Sequence, residues 1–211
     1  MPVLDFWFDF ASTYSYIAAM RIGPLCRDNC VELRWKPFLL GPVFQLQGWN
    51  TSPFNLNQRR GEYMWRDIER LAAKFAIPYR KPSSFPRAST LPARVACSIA
   101  GEPWSAEFIR RVFQANFVHD WDINDESVVR DILRSGGQDE RRIMREARSE
   151  PRRSLLRKNT ETAIAEGIFG APNCVVQGEL FWGEETLEDA IAWLLARHRG
   201  GYNDAEKASI C

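Results

Sequence analysis

Apolar and polar positions alternate with a period of two from Val3 to Phe10. Leu4, Phe6, Phe8 and Phe10 fall on one side and Val3, Asp5, Trp7 and Asp9 on the other, which predicts a strand. Its aromatic density predicts a place inside the sheet rather than at an edge. Ala11-Ser12-Thr13-Tyr14-Ser15 then carries three hydroxyls ahead of a helical pattern over Tyr16 to Arg27, so Ser12 or Thr13 stands where a helix is capped. Val31, Leu33 and Trp35 alternate with Glu32, Arg34 and Lys36 and are closed by Pro37, a second strand. Strand, helix and strand in so short a span predict a parallel pair.

From Gly41 to Asn57 the chain reads as loop. Helical spacing follows over Asn57–Phe75, from Thr90 to a stop at Gly101, and over Trp104–Phe117, Asp125–Leu133, Asp139–Ser149 and Arg152–Glu166. Short apolar runs at Asn173–Val176 and Leu180–Trp182 flank Gln177-Gly178-Glu179 and predict a tight hairpin. An amphipathic helix over Glu184–Arg197 comes next, with acidic residues in its first turn, and Tyr202–Cys211 reads as a frayed tail. The expected fold is α/β: a four-stranded mixed sheet of order βαβ…ββα, interrupted by a six-helix, all-helical insertion domain. The expected division is residues 1–45 and 167–211 for the sheet unit and 46–166 for the insertion.

Composition narrows the function classes. Of 211 residues, 45% are hydrophobic, enough for a substantial core. Lys and Arg number 28 against 27 Asp and Glu, a net charge of +1, so no basic field favours nucleic acid. No apolar run approaches the ~20 residues of a membrane span, and the N-terminus carries no secretory pattern. A soluble, cytoplasmic protein is expected. The five cysteines are scattered without a Cys-x-x-Cys, and histidines number only two, so buried free thiols are expected rather than disulfides or a metal site.

Two places invite chemistry. Ser12 lies at the carboxyl end of a parallel strand and the head of a helix, where ligands bind in open α/β sheets and where the helix terminus favours anions. The alternative is that Ser12 only caps the helix. Gly170-Ala171-Pro172 leads into the first hairpin strand; a proline there needs an edge or a special geometry, and trans is the default for its peptide bond. Arg87 is a candidate for holding a substrate carboxylate, against a surface arginine as the commoner outcome. Trp49 and Tyr63 are candidates for an aromatic substrate pocket, against core packing.

Taken together, Phe8-Asp9-Phe10-Ala11-Ser12-Thr13-Tyr14-Ser15-Tyr16, Gly48-Trp49-Asn50-Thr51-Ser52-Pro53, Phe85-Pro86-Arg87, Asp122-Ile123, Phe169-Gly170-Ala171-Pro172 and Phe181-Trp182-Gly183 resemble one family. It is the 2-hydroxychromene-2-carboxylate isomerase and kappa-class glutathione transferase family, DsbA-like members of the thioredoxin superfamily. The resemblance spans residues 3 to 197. It implies a thioredoxin-like fold, glutathione as cofactor, and Ser12 as the catalytic hydroxyl that stabilises the glutathione sulfur as an anion. It further implies that Ala171, before a cis Pro172, pairs its backbone with glutathione. Asn50 would contact the tripeptide, and Glu185 and Thr186 would hold its γ-glutamyl end. In that family the sulfur adds to an aromatic-degradation intermediate, a bond rotates, and elimination restores the thiol. A homodimer acting on a small aromatic or electrophilic molecule follows from the same likeness, while the charge balance and the short apolar runs predict no nucleic-acid or membrane partner. The alternatives are a kappa-class-like transferase conjugating electrophiles, a disulfide oxidoreductase, against which Ser12 and Ser15 speak, and a non-catalytic glutathione-binding module. Two departures stand out: Thr13 where the family often has proline, and Glu185-Thr186 where Asp-Arg is common.

Overall fold

The computed structural model describes residues 1–208. Val3–Phe8 (β1), Thr13–Asp28 (α1) and Glu32–Pro37 (β2) form the opening unit, and Asn173–Val176 (β3), Glu179–Trp182 (β4), a single 3-10 turn at Glu184–Thr186 and Leu187–Ala208 (α10) form the closing one. The sheet order is β2-β1-β3-β4, with β1 parallel to β2 and antiparallel to β3, and β3 antiparallel to β4. Gln177 and Gly178, at φ 51° and 81°, make the two-residue hairpin turn, so Glu179 belongs to the strand. The α/β fold with a four-stranded mixed sheet is therefore as the sequence predicts.

Between β2 and β3 the described chain is all helical: Leu40–Leu46 (α2), Pro53–Leu56 (α3), Gln58–Lys74 (α4), Thr90–Ser98 (α5), Ser105–Phe117 (α6), Glu126–Ser135 (α7), Glu140–Arg148 (α8) and Glu150–Ala165 (α9). The expected loop over Gly41–Asn57 is corrected by α2 and α3. Pro42 and Pro53 sit in first turns, where a missing N–H costs no helical bond. Ser52 caps α3 by accepting from Phe54 N at 3.3 Å. The N-terminus of α2 has no local cap; Asp9, 31 residues earlier, accepts from Leu40 N at 2.8 Å. The expected frayed tail is also corrected in part, since α10 continues to Ala208; Cys211 lies outside the described residues.

One apolar core runs through sheet unit and insertion alike. The inner face of β1 (Leu4, Phe6, Phe8), with Phe10, packs on α1 and on α6. At its centre Phe113 meets Phe8, Phe10 and Tyr16 at ring separations of 5.8, 5.0 and 6.2 Å. Full burial of each such side chain is worth about 1.5–3 kcal/mol. The opposite face of β1 sends Trp7 into a smaller cluster with Phe38, Val43, Ala163 and Ile168. Cys26, Cys97 and Cys174 are buried thiols as expected; Cys30, just past the end of α1 at a positive φ of 54°, is exposed and departs from that expectation. Among the described residues, no helix is long and apolar enough to cross a membrane, and no group of three or more His, Cys, Asp or Glu could hold a metal ion.

Candidate functional site

The parallel β1 ends at Phe8, and the turn Asp9–Ser12 turns the chain into α1. Asp9 shapes that turn twice: its carbonyl accepts from Ser12 N at 3.0 Å and its Oδ1 from Ala11 N at 2.9 Å. With Oδ2 on Leu40 N, one buried carboxylate joins the Ser12 turn to α2; burial pushes its pKa up. Ser12 is the N-cap of α1, its Oγ accepting from Ser15 N at 3.1 Å, and the same hydroxyl donates to Ala171 O at 3.1 Å. Ser12 therefore caps the helix, and the same hydroxyl faces the segment leading into β3. The Ala171-Pro172 peptide is cis, a correction to the trans default, and Phe85-Pro86 is cis as well.

A cleft of about 1190 Å³ opens over this junction. That is above the usual ~300–1,000 Å³ of ligand pockets and leaves room for two small molecules. Ser12, Trp49, Asn50, Tyr63, Arg87, Ala171, Pro172 and Glu185 all line it. Thr186 is not among the lining residues; its hydroxyl donates to Gly183 O at 3.2 Å and stays within its own turn. Trp49 packs on Phe44 across 5.8 Å and Tyr63 is largely exposed, so both belong to the cleft wall and not to the core. Asn50 is exposed on the loop after α2. Trp182 and Phe169, ring centroids 4.9 Å apart, wall the cleft beside Gly170, and Gln47 Nε2 reaches across from α2 to Phe169 O at 2.9 Å.

Arg87 requires a correction. Its guanidinium is buried and committed within the protein: Nη1 donates to Asn116 Oδ1 at 2.9 Å, and Nη2 bonds Asp120 and, at 3.3 Å, Ser83 Oγ. It holds a wall of the cleft and is not free for a substrate carboxylate. Most other charges at the cleft are also paired. Asp67 accepts from Tyr14 Oη at 3.1 Å and Arg70 at 2.8 Å, and Glu184 pairs with Arg21 at 2.5 Å. Tyr14's phenol is therefore spent on Asp67, and burial and that carboxylate raise its pKa. Among the described residues lining the cleft, Glu185 and Arg60 are the charged side chains with no ion pair or side-chain hydrogen bond.

Arg60 escaped the sequence reading. Its signal was present as the stripe Arg60, Tyr63, Asp67, Leu71, one face of α4 at helical spacing, while Met64, Ile68 and Ala72 on the neighbouring face enter the core. Asp9 also escaped, because a polar residue on the outer side of a strand reads as solvent-facing until α2 covers it.

An uncommitted cation and an uncommitted anion match a ligand that carries carboxylates and an ammonium. Ala171 N–H has no partner among the described residues, which leaves an open backbone donor on the segment before β3. A hydroxyl at a helix head favours an anion beside it.

The family model described as a DSBA-like thioredoxin domain matches residues 3–192. A 2-hydroxychromene-2-carboxylate isomerase of Sphingobium xenophagum is 28% identical over 193 residues, covering 91% of this chain and 97% of that protein. Glutathione S-transferase kappa 1 of Caenorhabditis elegans is 28% identical over 182 residues, covering 82% and 79%. Among solved structures, a 2-hydroxychromene-2-carboxylate isomerase superposes with a TM-score of 0.79 at 23% identity and 99% coverage of both chains.

Proposed function

The chain belongs to the DSBA-like thioredoxin domain family, and from that premise we propose that it is a glutathione-dependent isomerase of the 2-hydroxychromene-2-carboxylate type. The observation that carries this reading is Ser12: a hydroxyl at the head of α1, opposite Ala171 and Pro172, in a cleft with room for two molecules. Glutathione, when bound, supplies the sulfur nucleophile.

The protein's share follows from its own groups. Ser12 donates its hydroxyl proton toward the sulfur and, with the α1 amides, favours the ionised form. Ala171 N–H takes up the ligand backbone, Glu185 attracts the ammonium, and Arg60 holds a carboxylate; Asn50 adds a polar contact at the cleft rim. Trp49, Tyr63, Phe169 and Trp182 line the space for an aromatic substrate and thin out the water around it. No base stands on Ser12, whose partners are both backbone groups, so the serine is not itself an activated nucleophile.

A disulfide exchange role would need thiols where Ser12 and Ser15 stand. Burial pushes Cys26 up to about 11 and Cys97 up to about 12, far from the reactive range. The identity to the kappa transferase keeps conjugation of electrophiles as the second reading. A cytoplasmic homodimer is part of the proposal.

Ser12→Ala tests it. Losing one hydrogen bond to a charged group costs about 1.5–3 kcal/mol, which corresponds to a rise of ~1–2 units in the pKa of bound glutathione. Titration of the ultraviolet thiolate absorbance reads that shift, and turnover of 2-hydroxychromene-2-carboxylate beside a chlorinated aromatic separates isomerase from transferase. A wild type that leaves the bound thiol at its solution pKa defeats the proposal.

A further inference from the structure

The Ser12 turn is held from two sides. Asp9 grips it from the sheet side through Ala11 N and Ser12 N. From the helical insertion, Asn116 on α6 donates Nδ2 to Phe10 O at 3.1 Å, two residues before Ser12. Asn116 is almost fully buried, at 2% exposure. Its Oδ1 accepts from Arg87 Nη1 at 2.9 Å, and its carbonyl from the same nitrogen at 3.4 Å. Arg87 is fixed in turn by Asp120, whose Oδ1 also accepts from Ser83 N at 2.8 Å and Ser83 Oγ at 3.0 Å. These bonds hold the Asp120 carboxyl down at about 2, so it remains an anion and a partner for Arg87 at any ordinary pH.

Two walls of the cleft meet through one amide. Phe10 O belongs to the segment that presents Ser12; Arg87 belongs to the loop Phe85–Ser89, which forms the facing wall. A primary amide is the side chain suited to this place, because it donates to a carbonyl and accepts from a guanidinium at once.

Resting on the glutathione reading above, we propose that Asn116 is a positioning residue that sets Ser12 against the Arg87 wall of the cleft and so tunes ionisation of the bound sulfur. It touches no ligand; it acts through Phe10 O on the placement of the Ser12 hydroxyl. A hydroxyl displaced by a few tenths of an ångström donates a poorer bond, and the effect appears in sulfur ionisation more than in peptide binding, which relies on Ala171, Glu185 and Arg60.

Asn116→Asp is the discriminating variant. The carboxylate keeps the bond from Arg87 but loses the donor to Phe10 O and sets an oxygen against it. Affinity for glutathione is read by calorimetry, ionisation by thiolate absorbance against pH, and folding by the melting temperature. The expected result is a rise of about one unit in the thiol pKa, a tenfold fall in its ionisation constant, with affinity at a pH below both thiol pKa values changed by less than about twofold. Arg87→Lys, which keeps a cation beside Asp120, gives a smaller rise in the same direction and serves if Asn116→Asp fails to fold. An unchanged thiol pKa in the variant that folds overturns the positioning role while leaving the glutathione reading intact. A wild type that does not depress the thiol pKa overturns the reading beneath it.

Discussion

Gly183 sits at the end of β4 with φ 105° and ψ 162°, a region open to essentially no residue but glycine. Its N–H donates to Pro172 O at 3.0 Å, tying it to the segment opposite Ser12. A Cβ placed there would lie 2.6 Å from Glu185 Cδ and 2.7 Å from its Oε1. Gly183→Ala therefore strains the backbone and expels the Glu185 carboxylate from its place. The backbone cost is about 1–3 kcal/mol, offset by about 0.4–1 kcal/mol from a less flexible unfolded chain. A net loss of about 1–2 kcal/mol lowers the melting temperature of a chain this size by about 2–8 °C. The binding effect is separate: a solvent-accessible ion pair is worth about 0.2–1 kcal/mol, so displacing Glu185 weakens glutathione by up to about fivefold. Glu185→Gln distinguishes the two contributions, since it should match the binding loss at an unchanged melting temperature. Calorimetry and thermal melts of both variants decide the matter. Gly183→Ala with wild-type melting and wild-type affinity would refute both the strain and the role given to Glu185.

Two further outcomes follow from groups near the same site. Thr13 Oγ1 is buried with no hydrogen-bond partner, a condition that costs about 1–3 kcal/mol; the isosteric Thr13→Val should be neutral or stabilise by about 1 kcal/mol, and a lower urea midpoint would count against it. The Asp120 carboxyl is lowered from 3.8 to about 2, so its stabilising effect is complete above its ordinary value and disappears as pH falls toward 2. Asp120→Asn should accordingly flatten the acid limb of the stability curve between about 4 and 2, and an unaltered limb in chemical denaturation would contradict the assignment.

Most of the architecture was legible because it is written in local periodicity. The β1 alternation separates Leu4, Phe6 and Phe8 from Trp7, and the structure sends them to opposite faces of the sheet. The Gln177-Gly178 turn is legible for a similar reason, since the residues that tolerate positive φ announce it. What escaped is non-local. The start of α2 is capped by Asp9 from a distant strand, and no window of sequence joins the two. Arg87 was read as a free cation because its partners, Asn116 and Asp120, lie 29 and 33 residues away. Arg60 was hidden by phase: the apolar repeat on α4 pointed to the core-facing side, and the cleft-facing side is the adjacent stripe. The motif order around Ser12 and Pro172 was recognisable as a resemblance, whereas which of its residues remain unpaired is a property of packing alone.

The commitments of Ser12 define what such a site can do. Its hydroxyl carries one proton, and in the structure that proton goes to Ala171 O while an Oγ lone pair takes Ser15 N–H. Donation to a sulfur anion therefore costs the bond to Ala171 O, and the net gain is the difference between a charge-assisted bond and a neutral one, about a factor of two in strength. In the proposed complex Ala171 O keeps a partner, because a ligand backbone pairing with Ala171 N–H would bring its own N–H alongside. A bare small thiol offers no such replacement and leaves the carbonyl unpaired, at a cost of about 1–3 kcal/mol. Under the proposed function, recognition of a peptide backbone is coupled to release of the hydroxyl that would stabilise its sulfur. A thiol without that backbone would gain little from the same serine, which is what separates a tripeptide thiol from a simple one under the proposed function.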